Sequence, residues 1–386
     1  MYMLSKEQID FIIAHDGEET SSLLLRKDKW KDLDIERLVV ILEARKKLRH
    51  KVPSWYGHPS LEYADSLSIE QCSSEKTAKY KQQFVVGKRV ADLTGGLGID
   101  AYFFSQVAES VLYIERKESL CEVARANFEI LGAGNITVCN GNSTDILSSL
   151  KDADLIYLDP SRRSKTSSRV YSIEDCEPDL ISIKSALFKV SDTVLVKVSP
   201  MADISRTIEM IPEIKEIHIV TADNECKEVL LLLESGQKMS DPLIVTDSFS
   251  FRKSEEKEAE SFFAANPGKY LYYPSKGLLK AGAFKLLSQR FSLAKLDVST
   301  HLYTGDKVVD SFPGRVFQVL EYAAISNKNI KYLSSKYTKA NIIALNLPFD
   351  TKELRAKLGV ADGGDIYLIG CQTGKEKVII AAQLLS

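Results

Sequence analysis

The chain has 386 residues, 44% of them hydrophobic, a size and composition typical of two or three globular domains with filled cores. It has no apolar run of membrane-spanning length and no N-terminal signal pattern, and its six cysteines are scattered without a C-x-x-C pair. We therefore expect no membrane span, no zinc site and no disulfide framework. The same features predict a reduced, cytoplasmic protein without a metal ion.

The net charge of −2 conceals an uneven distribution along the chain. Residues 269–386 contain 17 lysines and arginines against 9 acidic residues, a net of +8, whereas the remainder has a net of −10. A basic segment on an acidic body is typical of a region that binds a polyanion, although an unevenly charged, solvated surface fits the same numbers.

Residues 1–75 are predicted to be helical. One apolar face is formed by residues at helical spacing, namely Ile35, Leu38, Val39 and Leu42. Further on, Ser74 is predicted to cap a helix. Because residues 71–77 directly precede a glycine-rich stretch, they either fold over a ligand bound there or only pack against their neighbours.

In the glycine-rich stretch, residues 90–100, a short apolar strand is predicted to end at Asp92. A helix that runs to about residue 106 is predicted to follow the glycines. In this geometry a nucleotide-like ligand can approach the backbone, because glycines remove obstructing side chains and the helix start offers N–H groups. The candidate cofactor-binding residues of the stretch are Asp92, Thr94, Gly95, Gly96 and Gly98.

Three interpretations of this turn compete. Residues 96–101 fit the G-x-G-x-x-(G/A) pattern of dinucleotide-binding proteins. The carboxylate of Asp92 favours S-adenosylmethionine (SAM) instead, because it would repel a pyrophosphate and could hold the ammonium group of SAM. In the third interpretation the glycines serve only to reverse the chain.

From about residue 84 to 235, short aliphatic runs alternate with helical patterns, which predicts a parallel sheet with helices on both faces. The connection between the last two strands is too short for a crossover helix, so this pair is predicted to be an antiparallel hairpin. That ending is typical of methyltransferases and not of dehydrogenases. The predicted strands are residues 89–93, 111–114, 136–139, 155–158, 193–198, 216–220 and 229–233.

Polar residues stand at the carboxyl ends of these strands, where such sheets bind ligands. Glu115 closes the second strand, where its carboxylate can accept hydrogen bonds from ribose hydroxyls. Asn142 follows the third strand and its amide can meet an adenine edge. The fourth strand ends in Asp-Pro-Ser-Arg-Arg, residues 159–163.

Beyond a charge-rich connection at 240–268, a new unit is predicted with strands at 295–298 and 307–309, and helical patterns then alternate with short strands such as 341–345 and 366–369. Five residues of this region are candidate phosphate contacts, each equally consistent with an ordinary surface residue: Lys276, Lys280, Lys285, Arg290 and Arg315.

The chain resembles class I SAM-dependent methyltransferases over residues 70–235. Over most of its length it resembles the bacterial family of methyltransferases with a C-terminal THUMP-like domain. The motifs that carry the resemblance are DLTGGLGID (92–100), QCSSE (71–75), DPSRR (159–163), NECKE (224–228), THLYT (300–304) and FPGR (312–315).

The resemblance implies an α/β fold with a Rossmann-like, seven-stranded methyltransferase sheet, an N-terminal helical region and small α+β C-terminal domains. The implied division is a helical region at 1–75, a SAM-dependent methyltransferase domain at 76–240, a linker and ferredoxin-like unit at 241–311, and a THUMP-like domain at 312–386. THUMP domains bind RNA, so RNA is the implied substrate and partner.

The resemblance also implies roles for individual residues. Glu115 would contact the ribose of SAM, Asn142 the adenine, and Asp159 would lie beside the transferred methyl group. The methionine end would be lined by the loop of Asp92, Thr94, Gly95, Gly96 and Gly98.

The Asp159 loop departs from the Asp-Pro-Pro-(Tyr/Phe) loops that serve N-methylation of bases, because Ser161 and Arg162 stand in place of the second proline and the aromatic ring. Without the aromatic ring, a flipped base loses a stacking contact worth about 1–3 kcal/mol. The guanidinium plane of Arg162 could stack on the base instead. Arg162 and Arg163 could also bind phosphate. We predict Asp159, Pro160 and Arg162 as the catalytic residues. Alternatively, Asp159 only caps the next turn.

Transfer to a pyrimidine C5 atom needs a cysteine nucleophile, and the only candidate, Cys226, fits a structural thiol better. We therefore predict a SAM-dependent methyltransferase that acts on a base nitrogen in RNA. The missing aromatic residue favours one alternative, a non-catalytic RNA-binding protein on the same scaffold. A second alternative is an NAD-dependent oxidoreductase, which residues 96–101 and Glu115 fit.

Overall fold

A computed structural model describes residues 3–85, 87–162, 173–236, 241–374 and 376–385. The chain forms two compact units, Met1–Ile217 with Lys227–Ser240, and His218–Cys226 with Asp241–Ser386. Among the described residues, no helix combines the length and the apolar character needed to cross a membrane. The division of the sequence into four segments stays a prediction.

The first unit begins with short helices: Lys6–Ala14 (α1), Thr20–Leu25 (α2), Ile35–Lys51 (α3), Pro53–Tyr56 (α4), Ser66–Gln71 (α5) and Glu75–Lys81 (α6). The predicted apolar face of α3 is buried. Ser74 caps α6 as predicted, since its side chain accepts a hydrogen bond from the Thr77 N–H. The core of these helices includes Leu97, Ile99 and Phe103, so the helical region packs against the glycine-rich loop and the helix that follows it.

The region from residue 89 to residue 234 contains strands and helices in alternation. Its strands are Arg89–Asp92 (β1), Ser110–Glu115 (β2), Ile136–Asn140 (β3), Leu155–Leu158 (β4), Ser161–Arg162 (β5), Cys176–Glu177 (β6), Thr193–Val198 (β7), Ile214–Ala222 (β8) and Glu225–Glu234 (β9). Its helices are Ile99–Ser105 (α7), Glu118–Ile130 (α8), Ser143–Leu147 (α9), Leu180–Leu187 (α10) and Ile204–Met210 (α11).

The seven predicted strands lie in the order β8-β9-β7-β4-β1-β2-β3. Strands β3, β2, β1, β4 and β7 are parallel, and β9 runs antiparallel to β7. Asp223 and Asn224, both with positive φ, join β8 to β9 as a hairpin turn. The predicted doubly wound sheet with a closing hairpin is confirmed. Its parallel topology brings the carboxyl ends of β1, β2, β3, β4 and β7 to one edge.

Among its described residues, the second unit has ten further strands and five helices. The strands are Leu243–Val245 (β10), Ser250–Arg252 (β11), Phe262–Phe263 (β12), Tyr270–Pro274 (β13), Ala294–Lys295 (β14), Tyr303–Gly305 (β15), Gly314–Ala324 (β16), Asn341–Leu345 (β17), Ile366–Gln372 (β18) and Lys377–Leu384 (β19). The helices are Lys253–Glu258 (α12), Lys276–Ala281 (α13), Phe284–Arg290 (α14), Asn327–Lys336 (α15) and Thr351–Leu358 (α16).

Most of these strands form a sheet in the order β12-β14-β15-β13-β16-β19-β18-β17. The two short strands β10 and β11 instead follow β8 in the first sheet. Over the part of the chain that the structure describes, this sheet therefore has nine strands, where seven were predicted. Sequence patterns missed this extension because β10 and β11 have only three residues each.

The predicted strand at 307–309 is wrong, and of the strand at 295–298 only the first residue is extended. Val298 and Val308 are 70% and 51% exposed, so these apolar residues do not pack into a sheet. The hydroxyl of Tyr272 donates a hydrogen bond to the Lys307 carbonyl (2.5 Å) and accepts one from the Val309 N–H (3.1 Å). A buried side chain therefore holds this segment as a loop.

Two leucines of the helical region should differ in how much they contribute to the free energy of unfolding. Leu38 on α3 is fully buried, whereas Leu25 on α2 is 88% exposed. We expect Leu38→Ala to lower the free energy of unfolding by about 2–5 kcal/mol, because it removes buried methyl groups and leaves a cavity. Leu25→Ala should change it by no more than about 0.5 kcal/mol. Urea denaturation measures both, and equal effects would contradict the assigned core.

Candidate functional site

An open cleft of ≈ 1170 Å³ lies at the carboxyl ends of the parallel strands of the first unit. Ligand pockets usually measure about 300–1,000 Å³, so this cleft has room for more than one small molecule. Eight of the predicted site residues line it: Thr94, Gly95, Gly96, Gly98, Glu115, Asn142, Asp159 and Pro160.

The glycine-rich loop, residues 94–98, is packed tightly against the sheet. A Cβ atom on Gly95 would lie 2.3 Å from the ring of Tyr113, and one on Gly98, whose φ is +87°, would lie 2.7 Å from Phe128. The Tyr113 hydroxyl donates a hydrogen bond to the Gly96 carbonyl (2.6 Å). The protein itself therefore requires two of the glycines, in addition to any ligand that the loop binds.

Glu115 is held in one orientation at the end of β2. One carboxylate oxygen accepts a hydrogen bond from the Gly96 N–H (3.0 Å) and the other from the Lys117 N–H (2.9 Å). Each oxygen keeps further acceptor capacity. Glu115 can therefore accept two hydrogen bonds from a pair of hydroxyl groups in the cleft.

Asn142 caps α9. Its side-chain oxygen accepts hydrogen bonds from the N–H (3.2 Å) and the hydroxyl (3.0 Å) of Thr144. The cap occupies the oxygen, so the NH₂ group is the part of this side chain that can donate to a ligand.

Asp92 lies beneath the loop and is only 1% exposed. Its carboxylate accepts a hydrogen bond from the Thr94 N–H (3.0 Å), and it is not among the described residues that line the cleft. Burial, reinforced by neighbouring carboxylates such as Asp100, raises the pKa of Asp92 well above its usual value. A cation placed above this carboxylate would favour its charged form.

Asp159, which directly follows β4, contacts both the glycine-rich loop and strand β7. Its N–H donates a hydrogen bond to the Thr94 hydroxyl (2.6 Å), and its carboxylate forms a 2.5 Å ion pair with Lys197 on β7. The backbone of Arg162 pairs with Cys176. The side chain of Arg162 and the whole of Arg163 lie outside the described residues.

Beneath the cleft is a buried ionic cluster that the sequence did not reveal. Lys81 is completely buried, and its ammonium group contacts Glu228 (2.8 Å), Asp100 (3.1 Å) and Ser73 (3.0 Å). Asp100 also accepts hydrogen bonds from the hydroxyls of Ser73 (2.7 Å) and Tyr157 (2.9 Å). The cluster joins α6, α7, β4 and β9.

Lys197 extends this cluster to the cleft, since its ammonium lies 3.5 Å from the Ser73 hydroxyl. Burial lowers the pKa of Lys197, but Asp159, Asp100 and Glu228 outweigh it and hold the pKa above its usual value. Burial likewise raises the pKa of Asp100, but Lys81 and Lys197 outweigh it and hold that pKa below its usual value. Lys197 and Asp100 are therefore charged at neutral pH.

Only part of this cluster left a signal in the sequence. Lys197 interrupts the apolar run of β7, and Glu228 directly precedes the apolar run of β9. Ser73 and Lys81 stand in ordinary polar surroundings, so nothing in the sequence marks them as buried. Within the described ranges, no group of three or more His, Cys, Asp and Glu side chains is placed to hold a metal ion.

Comparison with known proteins decides the family. A family model described as a ferredoxin-like domain matches residues 270–313, and one described as THUMP domain-like matches residues 314–383. A crystal structure from Porphyromonas gingivalis W83, provisionally named a methyltransferase, is 31% identical, covers 100% of both chains and has a TM-score of 0.89. The chain belongs to the same family. This methyltransferase family joins a class I methyltransferase fold to ferredoxin-like and THUMP-like domains, as predicted.

Two other solved structures are similar to part of this chain. The methyltransferase yhhF of Escherichia coli, also provisionally named, is 17% identical, covers 46% of this chain and 92% of its own, and has a TM-score of 0.34. SMU.1697c of Streptococcus mutans, solved with S-adenosylhomocysteine (SAH), is 16% identical, covers 41% and 96%, and has a TM-score of 0.32. A search of curated proteins found no match.

Two lysines of α6 should differ in how much they contribute to the free energy of unfolding, because only one of them belongs to the buried cluster. Lys81→Met leaves Asp100 and Glu228 buried without their main counter-ion, so we expect it to lower the free energy of unfolding by about 3–5 kcal/mol. Lys79, which pairs with Glu75 at the surface, is the matched control, and Lys79→Met should cost about 0–1 kcal/mol. Urea denaturation compares the two variants. A Lys81→Met protein as stable as Lys79→Met would contradict the cluster.

Proposed function

We propose that this protein transfers a methyl group from SAM to a base nitrogen in RNA. The observation that supports this most strongly is that Glu115, Asn142 and the glycine-rich loop line the same cleft as Asp159 and Pro160. A methyl donor and its acceptor must be held within one cavity for direct transfer.

The residues of the cleft fit SAM. Glu115 would hold the ribose hydroxyls, Asn142 would donate to the adenine, and Asp92 would stabilise the ammonium group from below the loop. When bound, SAM supplies a methyl group activated by its sulfonium. The alternative dinucleotide would place a pyrophosphate above Asp92 and near Asp100, an arrangement that charge repulsion disfavours.

At the target end, Asp159 would orient the acceptor amine. Lys197 pairs with one carboxylate oxygen of Asp159, and the other oxygen can accept a hydrogen bond from an amine N–H. Among the described residues that line the cleft none is aromatic, and Pro160, Pro200 and Met201 offer the apolar surfaces against which a base could pack.

The thiols of the cleft favour a nitrogen acceptor over a pyrimidine C5 atom. Cys72 is the only cysteine among the described lining residues. Burial raises the pKa of its thiol, and its Sγ donates to the Ile69 carbonyl (3.1 Å). A protonated thiol is a poor nucleophile. Cys226, the candidate from the sequence, is not among the described residues that line the cleft.

RNA is the proposed substrate because two observations on the second unit agree. Residues 314–383 match a THUMP-like family model. Residues 269–386 carry a net charge of +8, which attracts the phosphate backbone.

The direct test is transfer of tritium from methyl-labelled SAM to bulk cellular RNA. We expect the wild type to label RNA, and Asp159→Ala to lower the rate by about 100-fold because the acceptor loses its orienting group. Its affinity for SAH should stay within a few-fold of wild type.

Asp152→Ala, at an exposed position outside the cleft, is the control and should transfer normally. RNA binding by the wild type without any transfer would instead indicate a non-catalytic scaffold, which the missing aromatic residue at position 162 favours.

Asp92→Asn separates cofactor binding from folding. We expect calorimetry to show a loss of SAH affinity, because the neutral amide has no negative charge to balance that of an ammonium group. The variant should be at least as stable as wild type at neutral pH. The pKa of Asp92 is higher in the folded protein than in the unfolded chain, where it is about 3.9. The free energy of unfolding that Asp92 contributes therefore falls as the pH rises from the unfolded-state pKa to the folded-state pKa.

The control for this experiment is Asp145→Asn, which changes an exposed carboxylate just outside the cleft and should bind SAH normally. Unchanged SAH affinity in Asp92→Asn would contradict the proposed role.

A further inference from the structure

The second unit has a cavity of its own, ≈ 370 Å³ in volume, between the FPGR segment at 312–315 and the end of β13. We call it the FPGR cavity. Nothing in the proposed methyl-transfer site uses it, although FPGR is one of the motifs that mark the family resemblance.

The backbone around the FPGR cavity is closely packed. A Cβ atom on Gly314 would lie 2.2 Å from the Tyr273 carbonyl oxygen, so only glycine fits. The Ser275 N–H donates a hydrogen bond to the Pro313 carbonyl (3.1 Å). In the antiparallel register, Arg315 stands opposite Tyr273. The wall of the cavity is therefore held in place by the backbone.

Arg315 is oriented by aromatic rings and not by an acid. Its guanidinium lies 5.5 Å from the ring centre of Tyr273 and 5.9 Å from that of Tyr367. Cation–π contacts of this kind position the group without neutralising its charge. Arg315 thus keeps its hydrogen-bond donors for a ligand.

The structure separates four of the five candidate phosphate contacts of the sequence. Arg290 pairs with Glu255 (2.7 Å), and Lys285 donates to the Lys257 carbonyl (3.2 Å). Lys276 and Arg315 both line the FPGR cavity, and neither side chain forms an ion pair or hydrogen bond with any other described residue. Two cations without acidic partners at one cavity indicate an anionic ligand.

The lining of the cavity also includes groups that a simple anion would not need. Asp247 accepts a hydrogen bond from the Thr221 hydroxyl, and the side chains of Asn224 and Ser248 also line the cavity. A carboxylate beside an amide and a hydroxyl can bind sugar hydroxyls or base amines. Two cations and several hydrogen-bonding groups in one cavity fit a nucleotide.

We propose that the FPGR cavity binds one nucleotide of a single-stranded RNA segment, with its phosphate on Lys276 and Arg315 and its sugar or base facing Asp247. The inference rests on the proposed function, because this RNA would be the methylation substrate. The charge of +8 over residues 269–386 favours a polyanion over a free nucleotide, since every further phosphate gains from it.

The test measures binding of a fluorescein-labelled single-stranded RNA to the full chain by fluorescence anisotropy at several salt concentrations. We expect the double variant Lys276→Gln/Arg315→Gln to bind about tenfold more weakly. The slope of log affinity against log salt should become shallower by about 0.7, as expected for one lost phosphate contact on a single strand. Thermal unfolding checks that the variant is folded.

The matched control is Lys328→Gln/Lys352→Gln, which removes two exposed charges from α15 and α16, away from the cavity. We expect it to bind RNA within about twofold of wild type, because salt screens exposed charges that do not contact the RNA. Equal losses in both double variants, or unchanged binding in Lys276→Gln/Arg315→Gln, would overturn the proposal. Uridine monophosphate that binds as tightly as the RNA would also overturn it, in favour of a free-nucleotide site.

The same variants distinguish a failure of this inference from a failure of the proposed function. If Lys276→Gln/Arg315→Gln loses RNA binding while wild type transfers no methyl group, the RNA site is supported and the methyltransferase proposal fails. If wild type methylates RNA and the variant binds RNA normally, only the RNA site fails. SAH affinity should be the same in all of them.

Discussion

The arrangement of the first unit depends on one buried ammonium group, that of Lys81. A charged group without solvent is stable only when its partners surround it, and removal of one partner leaves the others uncompensated. Glu228 and Asp100 supply the opposite charges and Ser73 a hydroxyl. Because these residues come from separate segments, the N-terminal helices, the helix after the glycine-rich loop and the closing hairpin must assemble together.

The same cluster links the two halves of the cleft. Ser73 lies between the ammonium groups of Lys81 and Lys197, and Lys197 holds Asp159. From the other side, the Thr94 hydroxyl accepts a hydrogen bond from the backbone of Asp159. The loop proposed to bind the cofactor and the loop proposed to orient the acceptor are thus positioned by shared contacts, as transfer between two bound molecules requires.

Features encoded by neighbouring residues could be predicted from the sequence, and features encoded by distant ones could not. The strands, the hairpin and the glycine-rich loop follow from local apolar runs and glycines. Lys81 and Glu228 are 147 positions apart, and the surroundings of Lys81 in the sequence are polar, so only the fold reveals their contact. The error at 307–309 has the same origin, since a hydrogen bond from the distant Tyr272 holds that segment as a loop. The roles of Asp92 and Arg162 stay predictions.

A crystal structure of the full chain with SAH would test the central claim, that the cleft of the first unit holds the cofactor beside Asp159. We predict that the ribose hydroxyls bind Glu115, that the adenine lies next to Asn142, and that the sulfur faces Asp159. SAH bound elsewhere in the chain, or a cleft filled by the protein's own side chains, would contradict the account.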